Sequence, residues 1–302
     1  SEPGAVVATA IDKYIYINVN RKFDHKVRAS YSVTEIVDAP CDLKHELIRE
    51  ALAVAGIGGG IEITSISDIP SQGTGLGSSS SYTVGLLNAL HAYAHRQAGA
   101  ERLAREACEI EIERCGKPIG KQDQTIAAYG GLQYLQFNPD GSVFIDPIVC
   151  KPETRRELER GLLMLYTGLT RSADDILREQ SQNSGAKREA LRAMKGLADA
   201  MRAALASDDL GAFGSLLHEG WLLKRGLASG ITSPEIDGWY ETGRKHGATG
   251  GKLLGAGGGG FLLFFAPPER HIEICMGLQK LAMTPVRLEP QGSKIVYVEE
   301  NW

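Results

Sequence analysis

The stretch Pro70-Ser71-Gln72-Gly73-Thr74-Gly75-Leu76-Gly77-Ser78-Ser79-Ser80-Ser81 runs straight into Tyr82-Thr83-Val84-Gly85-Leu86-Leu87-Asn88-Ala89-Leu90. It is a glycine-rich turn followed by hydroxyls that open an apolar helix. That arrangement suits a polyphosphate. Glycines accept positive φ and let backbone N–H groups approach an anion closely, while a helix N-terminus adds unpaired N–H donors and the favourable end of its dipole. The serines can cap the helix and can also offer oxygen to a magnesium ion.

Two familiar phosphate loops are excluded. A Walker loop needs Gly-Lys followed by Ser or Thr, and Gly251-Lys252-Leu253 lacks both the hydroxyl and the glycine spacing. A dinucleotide fingerprint follows a first strand and keeps a fixed glycine spacing, whereas Pro70 precedes this loop and Gly73, Gly75 and Gly77 do not keep that spacing. The segment resembles instead the second motif of the small-molecule kinase superfamily that includes galactokinase, homoserine kinase, mevalonate kinase and phosphomevalonate kinase. In that superfamily the loop wraps nucleotide phosphates.

A second glycine-rich run, Gly250-Gly251-Lys252-Leu253-Leu254-Gly255-Ala256-Gly257-Gly258-Gly259-Gly260-Phe261, joins two short apolar segments that read as strands. It resembles the superfamily's third motif, which lies against the phosphate loop and the substrate. The two runs occur in the superfamily's order, about 180 residues apart.

The third informative segment is Glu109-Ile110-Glu111-Ile112-Glu113-Arg114-Cys115-Gly116-Lys117-Pro118-Ile119-Gly120-Lys121-Gln122-Asp123-Gln124. A helix carrying acids stops at Gly-x-Pro, and after a short loop Asp123 sits near the N-terminus of the next helix. A carboxylate so placed can accept or orient a substrate hydroxyl proton in phosphoryl transfer, and it can equally cap the helix. Asp123-Gln124 is similar to the galactokinase Met-Asp-Gln element, whose aspartate is the proposed catalytic base. On the same resemblance Glu111 matches the magnesium-binding glutamate, with Glu109 and Glu113 as alternatives two residues away on other helix faces.

Gly120 to Gln124, with Tyr31-Ser32, Thr34-Glu35, Thr167-Gly168, Arg171 and Ser172, resembles a narrower group, the heptose 7-phosphate kinases that make heptose 1,7-bisphosphate for nucleotide-activated heptose and capsule or surface polysaccharide. That resemblance implies ATP and Mg2+ as cofactors and a sugar phosphate as substrate. It implies nucleotide phosphates held by Gly73, Gly75, Leu76, Gly77, Ser78, Ser79 and Ser80, and a metal held by Ser79 or Ser78 with Glu111. Asp123 would be the base. The sugar site would draw on Tyr31, Gln122, Thr167, Gly168, Gly257 and Gly258, and the substrate's own phosphate on Lys26, Arg28 and Arg171. Alternatives are a galactokinase-like or fucokinase-like enzyme acting on an unphosphorylated sugar, and a catalytically silent sugar and nucleotide sensor. Members of the group carry, near their start, a strand and a Gly-Gly-Gly-Thr-Asp element that contributes to the sugar site. The sequence read here opens with Ser1-Glu2-Pro3-Gly4, downstream of the point where that element stands.

A chain of 302 residues with 43% hydrophobic content can bury a large core as one large or two joined domains. A formal charge of −4 offers no electrostatic case for nucleic acid or an anionic membrane. Five widely spaced cysteines without a CxxC pair indicate neither a disulfide framework nor a zinc site, and reduced thiols in the cytoplasm are the expectation. No apolar run approaches the ~20 residues of a membrane span, and the start does not read as a signal peptide. His91 and His95 share a helix face but lack the glutamate of a His-Glu-x-x-His site, so they read as packed or solvated side chains. An oligomer is left open.

The element pattern predicts a strand over Gly4 to Val19 forming a hairpin with Arg28 to Val37, helices over Asp42 to Ala55, from the phosphate loop to Arg96, and over Ala100 to Cys115, and a strand over Ile61 to Ile66. A second hairpin spans Gly131 to Ile148 across Asn138-Pro139-Asp140-Gly141, a strand covers Leu162 to Thr167, and helices fill Ser172 to His246. Strands follow at Lys252 to Leu254, Phe261 to Phe265, Val286 to Glu289 and Ile295 to Val298, with a helix over Glu269 to Ala282. This order argues for an α+β fold of two fused lobes with the active site in the cleft. The N-terminal mixed α/β lobe, residues 1–160, would carry a left-handed βαβ-type phosphate loop, and residues 161–302 would form a helix-rich α+β lobe.

Overall fold

The computed structural model describes residues 2–70, 73–170, 173–183 and 185–299. In chain order the strands and helices are β1 (Gly4–Thr9), β2 (Ile15–Arg21), β3 (Val27–Ser30), β4 (Thr34–Val37), α1 (Glu46–Ala55), β5 (Ile61–Ser67), α2 (Ser78–Tyr93), α3 (Ala100–Cys108), α4 (Gln122–Tyr129), β6 (Leu132–Phe137), β7 (Val143–Pro147), α5 (Pro152–Gly161), β8 (Leu162–Tyr166), α6 (Ala173–Asn183), α7 (Arg188–Ala206), α8 (Leu210–Lys224), α9 (Pro234–Lys245), β9 (Gly250–Leu253), β10 (Phe261–Phe265), α10 (His271–Gly277) and β11 (Ala282–Thr284). The fold is α+β, as expected. Contacts divide it into two compact units that interleave along the chain, one of Ser1–Asp12, Gln72–Leu76 and Leu132–Leu288, the other of Lys13–Ser71, Gly77–Gly131 and Glu289–Trp302. The boundary near residue 160 expected from the sequence falls inside the first of these.

The unit that begins at Lys13 is built on a four-stranded sheet of order β2-β5-β3-β4. In β2 the inward residues Ile15, Ile17 and Val19 alternate with exposed Tyr16, Asn18 and Asn20, the period-2 signature of a sheet with one buried face. Helix α2 packs on that face and is itself surrounded, with Val84, Leu86, Leu87 and Leu90 fully buried. Each such side chain contributes about 1.5–3 kcal/mol by leaving water, so this helix anchors the unit. His91, also fully buried, places Nε2 at 2.6 Å from Glu106 Oε2 and so ties α2 to α3, a packed side chain as expected.

The other unit carries two sheets, β1-β6-β7 and β11-β8-β10-β9. The fully apolar strands Leu162–Tyr166 and Phe261–Phe265 pair antiparallel at the centre of the second sheet. Trp221, Tyr240 and Phe264 stack in the core against it. Gly243 of α9 is required there, because a Cβ would lie 2.3 Å from the Phe264 ring.

Several expected elements change. Gly4 to Val19 is two strands, not one, and its halves enter different sheets. The expected hairpin of β2 with β3 does not form. β5 lies between them, antiparallel to β2 and parallel to β3, with Val27 opposite Ile61. Ile61 and Ile63 are almost wholly buried, so this strand takes the centre, and the hairpin partner of β3 is β4. Near the C-terminus the pairing strand is Ala282–Thr284, and of Val286 to Glu289 only Leu288 makes an isolated bridge, to Ile11. Ile295 to Val298 is exposed and carries no strand, because apolar β-branched residues form one only where a partner edge is offered. Helix α5 breaks no local rule, with Pro152 in its first turn, but was not anticipated. Among the described residues no helix is long and apolar enough to cross a membrane.

Candidate active site

Many of the described residues singled out in the sequence gather into two clusters, one in each unit, whereas the contacts of Lys26 and Arg28 lie with other partners. In the unit that begins at Lys13, Gly77 is the N-cap of α2 in the left-handed region, at φ 69° and ψ 29°. No side chain caps the helix, so the capping role foreseen for the serines is not filled. A Cβ on Gly77 would stand 3.1 Å from Asp123 Cγ and 3.2 Å from Oδ2 and would crowd that carboxylate, at a positive φ that already favours glycine. Asp123 lies in the first turn of α4, whose N-cap is Lys121, and is therefore not the cap itself. Gln122 Nε2 approaches its Oδ1 at 3.4 Å.

Glu111 completes this cluster by an unusual route. After Cys108 the helix widens into a π-helix over Glu109–Arg114, and the Cys115 N–H donates to the Ile110 carbonyl at 2.9 Å. Such turns insert an extra residue per turn and re-aim side chains, often at functional sites. Glu111 ends fully buried, while Glu109 pairs with Arg114 and Glu113 faces solvent. The Ser79 hydroxyl donates to Glu111 Oε1, and Gln124 Nε2 donates to Oε2 at 2.7 Å. Ser80, almost wholly buried, adds a further hydrogen bond. Burial pushes the Glu111 carboxyl above the usual range, and the negative charge of Asp123 adds to this against the hydroxyl and amide donors. Neither the π-turn nor the Gln124 contact was foreseen. Gln124 stands beside Asp123 in the motif, but nothing in its type announces a carboxylate partner thirteen residues upstream.

Lys26, Arg28 and Tyr31 lie in the same unit. Lys26 Nζ is 2.9 Å from Asp38 Oδ1 on the surface. Arg28 Nη1 is 3.3 Å from Glu62 Oε1, its side chain is 43% exposed, and its buried Nε has no hydrogen-bond partner among the described residues. Tyr31 donates its hydroxyl to Glu35 at 2.7 Å, and Glu35 also accepts from the N–H groups of Lys44 and His45, so this pair holds the sheet to the entry of α1.

The second cluster belongs to the unit that holds Gly73 to Leu76. A Cβ on Gly75 would lie 2.7 Å from the Leu254 carbonyl, and one on Gly260 2.3 Å from the Thr74 carbonyl. The two glycine-rich runs thus touch backbone to backbone. Thr167 joins them, donating from its N–H at 2.9 Å and its hydroxyl at 2.7 Å to the Gly260 carbonyl. Gly168 stands at φ 72° with open space at its Cβ position, and the Gly258 N–H donates to the Ile231 carbonyl at 2.9 Å. Gly257 approaches Ile231 so closely that a Cβ would lie 2.6 Å from its Cα. Arg171 and Ser172 lie outside the described residues.

The family described as GHMP kinases N terminal domain matches residues 43–131, and that described as GHMP kinases C terminal matches residues 201–275. Together they span more than half of the chain. The chain belongs to the GHMP kinases. It is similar to the D-glycero-alpha-D-manno-heptose 7-phosphate kinase of Campylobacter jejuni, 33% identical over 216 residues, which cover 71% of this chain and 63% of that protein. It is 28% identical to the bifunctional fucokinase/GDP-fucose pyrophosphorylase of Arabidopsis thaliana, covering 80% of this chain and 24% of that one. The chain thus spans under two thirds of the length of these relatives. The crystal structure of a D-glycero-D-manno-heptose 1-phosphate kinase from Bacteroides thetaiotaomicron superposes with a TM-score of 0.78 at 24% identity, covering 96% of this chain and 89% of that one, and shows that the fold is shared.

Proposed function

We propose that this GHMP kinase transfers the γ-phosphoryl group of ATP to the anomeric C1 hydroxyl of a heptose 7-phosphate, giving the 1,7-bisphosphate. One observation carries the reading: Ser79 and Gln124 grip the two oxygens of a buried Glu111, while Asp123, on the same helix as Gln124, lies against the turn that opens α2. The choice of heptose 7-phosphate is supported by the 33% identity to the Campylobacter jejuni protein.

In this mechanism the glycine turn and the first N–H groups of α2 bind the nucleotide phosphates, with Gly73, Gly75, Leu76, Gly77 and Ser78 to Ser80 as the contacts. Asp123 accepts the proton of the C1 hydroxyl or orients that hydroxyl for attack on the γ-phosphorus. The donor set of Glu111 and the serine hydroxyls is all oxygen with one carboxylate, which fits a magnesium ion that takes its remaining ligands from phosphates and water. When bound, that ion neutralises charge developing on the phosphate oxygens. Glu111 and Ser79 would hold it, with Ser78 second.

For the substrate's own phosphate, Arg28 is the stronger of the two described candidates: both are paired with a carboxylate, Lys26 with Asp38 and Arg28 with Glu62, but Arg28 meets Glu62 through Nη1 and a guanidinium carries further donors. Arginine also binds phosphate bidentately. Arg28→Ala should therefore lose about 1.5–3 kcal/mol of sugar-phosphate binding, roughly 10- to 150-fold in apparent affinity, with ATP affinity little changed. Arg171→Ala should behave alike. The check is the ratio of efficiencies on heptose 7-phosphate and on unphosphorylated heptose. If both variants keep the wild-type ratio, these anchors are wrong.

Steady-state ADP release with heptose 7-phosphate, unphosphorylated heptose, galactose and fucose tests the activity itself. Heptose 7-phosphate should be the best acceptor, with the new phosphate on C1 by phosphorus NMR. Preference for galactose or fucose would favour the galactokinase-like or fucokinase-like alternative, and no ADP release with any of these sugars would favour a silent sensor.

A further inference from the structure

A carboxylate can only accept hydrogen bonds, so the 2.7 Å contact between Gln124 and Glu111 fixes which end of the amide faces the acid. Nε2 points at Glu111, and Oε1 is the other end. Gln124 is fully buried, yet its Oε1 has no partner among the described residues. A methionine of similar volume would fill the same space without the unmatched amide oxygen, but it would take the donor away from Glu111 Oε2. The polar return for burying an amide here is the bond to Glu111. That bond takes the Oε2 edge of the carboxylate, while Ser79 lies on the Oε1 edge. A carboxylate clamped on one edge has one orientation left, with its other edge beside a serine hydroxyl.

We infer that Gln124 is a positioning residue, which locks the rotamer of Glu111 so that its Oε1 edge and the Ser79 hydroxyl are presented together to a divalent cation. The inference rests on the reading of Glu111 as a metal ligand. Outer partners that orient a metal ligand contribute about 10- to 100-fold in affinity. Asp123 and Gln124 are consecutive in the first turn of α4, so one rigid helix end places the base and holds the ligand.

The test measures the Mn2+ dissociation constant by electron paramagnetic resonance, in the presence of the non-hydrolysable ATP analogue AMP-PNP, for wild type, Gln124→Met, Glu111→Gln and the double variant. Thermal midpoints are taken in EDTA, and Gln124→Asn, which keeps an amide but is one methylene too short to reach, guards against misfolding of the methionine form. Gln124→Met and Gln124→Asn should each weaken Mn2+ by about 10-fold or more, while the midpoints in EDTA show that each variant is folded. In the Glu111→Gln background the second substitution should add nothing. If Glu111→Gln alone binds Mn2+ like wild type, the metal-ligand reading of Glu111 falls and this inference with it. If Glu111→Gln weakens Mn2+ but both Gln124 variants bind as wild type, or if the two losses multiply in the double variant, Glu111 keeps its role and the positioning role of Gln124 is overturned.

Discussion

Asp123→Asn should lower turnover by about 10²- to 10⁴-fold while the protein melts almost as wild type does. Asparagine keeps the volume that lies against Gly77, so the close approach of the turn to α4 survives. What it loses is the negative charge, and with it the capacity to take the proton of an attacking hydroxyl. Two small electrostatic changes oppose one another in the fold. The first turn of α4 gives up an acid favoured by the helix dipole, a loss of about 0.3–1 kcal/mol. Glu111 is at the same time relieved of a neighbouring negative charge. Steady-state ADP release and a thermal melt on the same preparation decide the matter, and a variant with near-normal turnover would remove Asp123 from the mechanism.

Glu111→Gln should raise the magnesium concentration needed for half-maximal rate by about 10-fold or more, the loss of one charged oxygen ligand worth roughly 1.5–3 kcal/mol. Glu109→Gln and Glu113→Gln should leave it unchanged, because the π-turn sends only Glu111 inward while Glu109 pairs with Arg114 and Glu113 is exposed. In metal-free protein at neutral pH the Glu111 substitution should not destabilise the fold, since burial already works against the ionised carboxyl. A magnesium titration of the rate for the three variants, with melts in EDTA, checks both halves. Equal effects of all three would mean that the register of this helix is not as described.

Local chemistry made much of the candidate site legible. Gly77 needs a left-handed conformation and a neighbour at van der Waals distance, and glycine among glycines signals that need in one dimension. The halt at Gly116-Lys117-Pro118 and the restart at Gln122 follow from residues that cannot extend a helix, so Asp123 was bound to fall in a first turn. The hairpin over Leu132 to Pro147 formed as its Asn-Pro-Asp-Gly turn requires. Only the family resemblance put Glu111 ahead of Glu109 and Glu113, because a run of alternating acids and isoleucines carries no local mark of a π-turn.

Sequence alone therefore determined the elements whose cause lies within a few residues: the glycine turn before α2 and that helix, the second glycine run, the acid at the head of α4, and the α+β class. Tertiary structure decided the choices that depend on a distant partner. β2 and β3 satisfy their alternation with any neighbour, and the burial of Ile61 and Ile63 put β5 between them. Ile295 to Val298 has the composition of a strand yet stays exposed and pairs with none. Glu111 became the buried acid because Ser79 and Gln124, thirty-two residues before it and thirteen after it, supply the donors that make a buried carboxylate tolerable. Backbone preference is a property of the nearest residues, whereas desolvation and pairing energy depend on what the folded chain brings alongside.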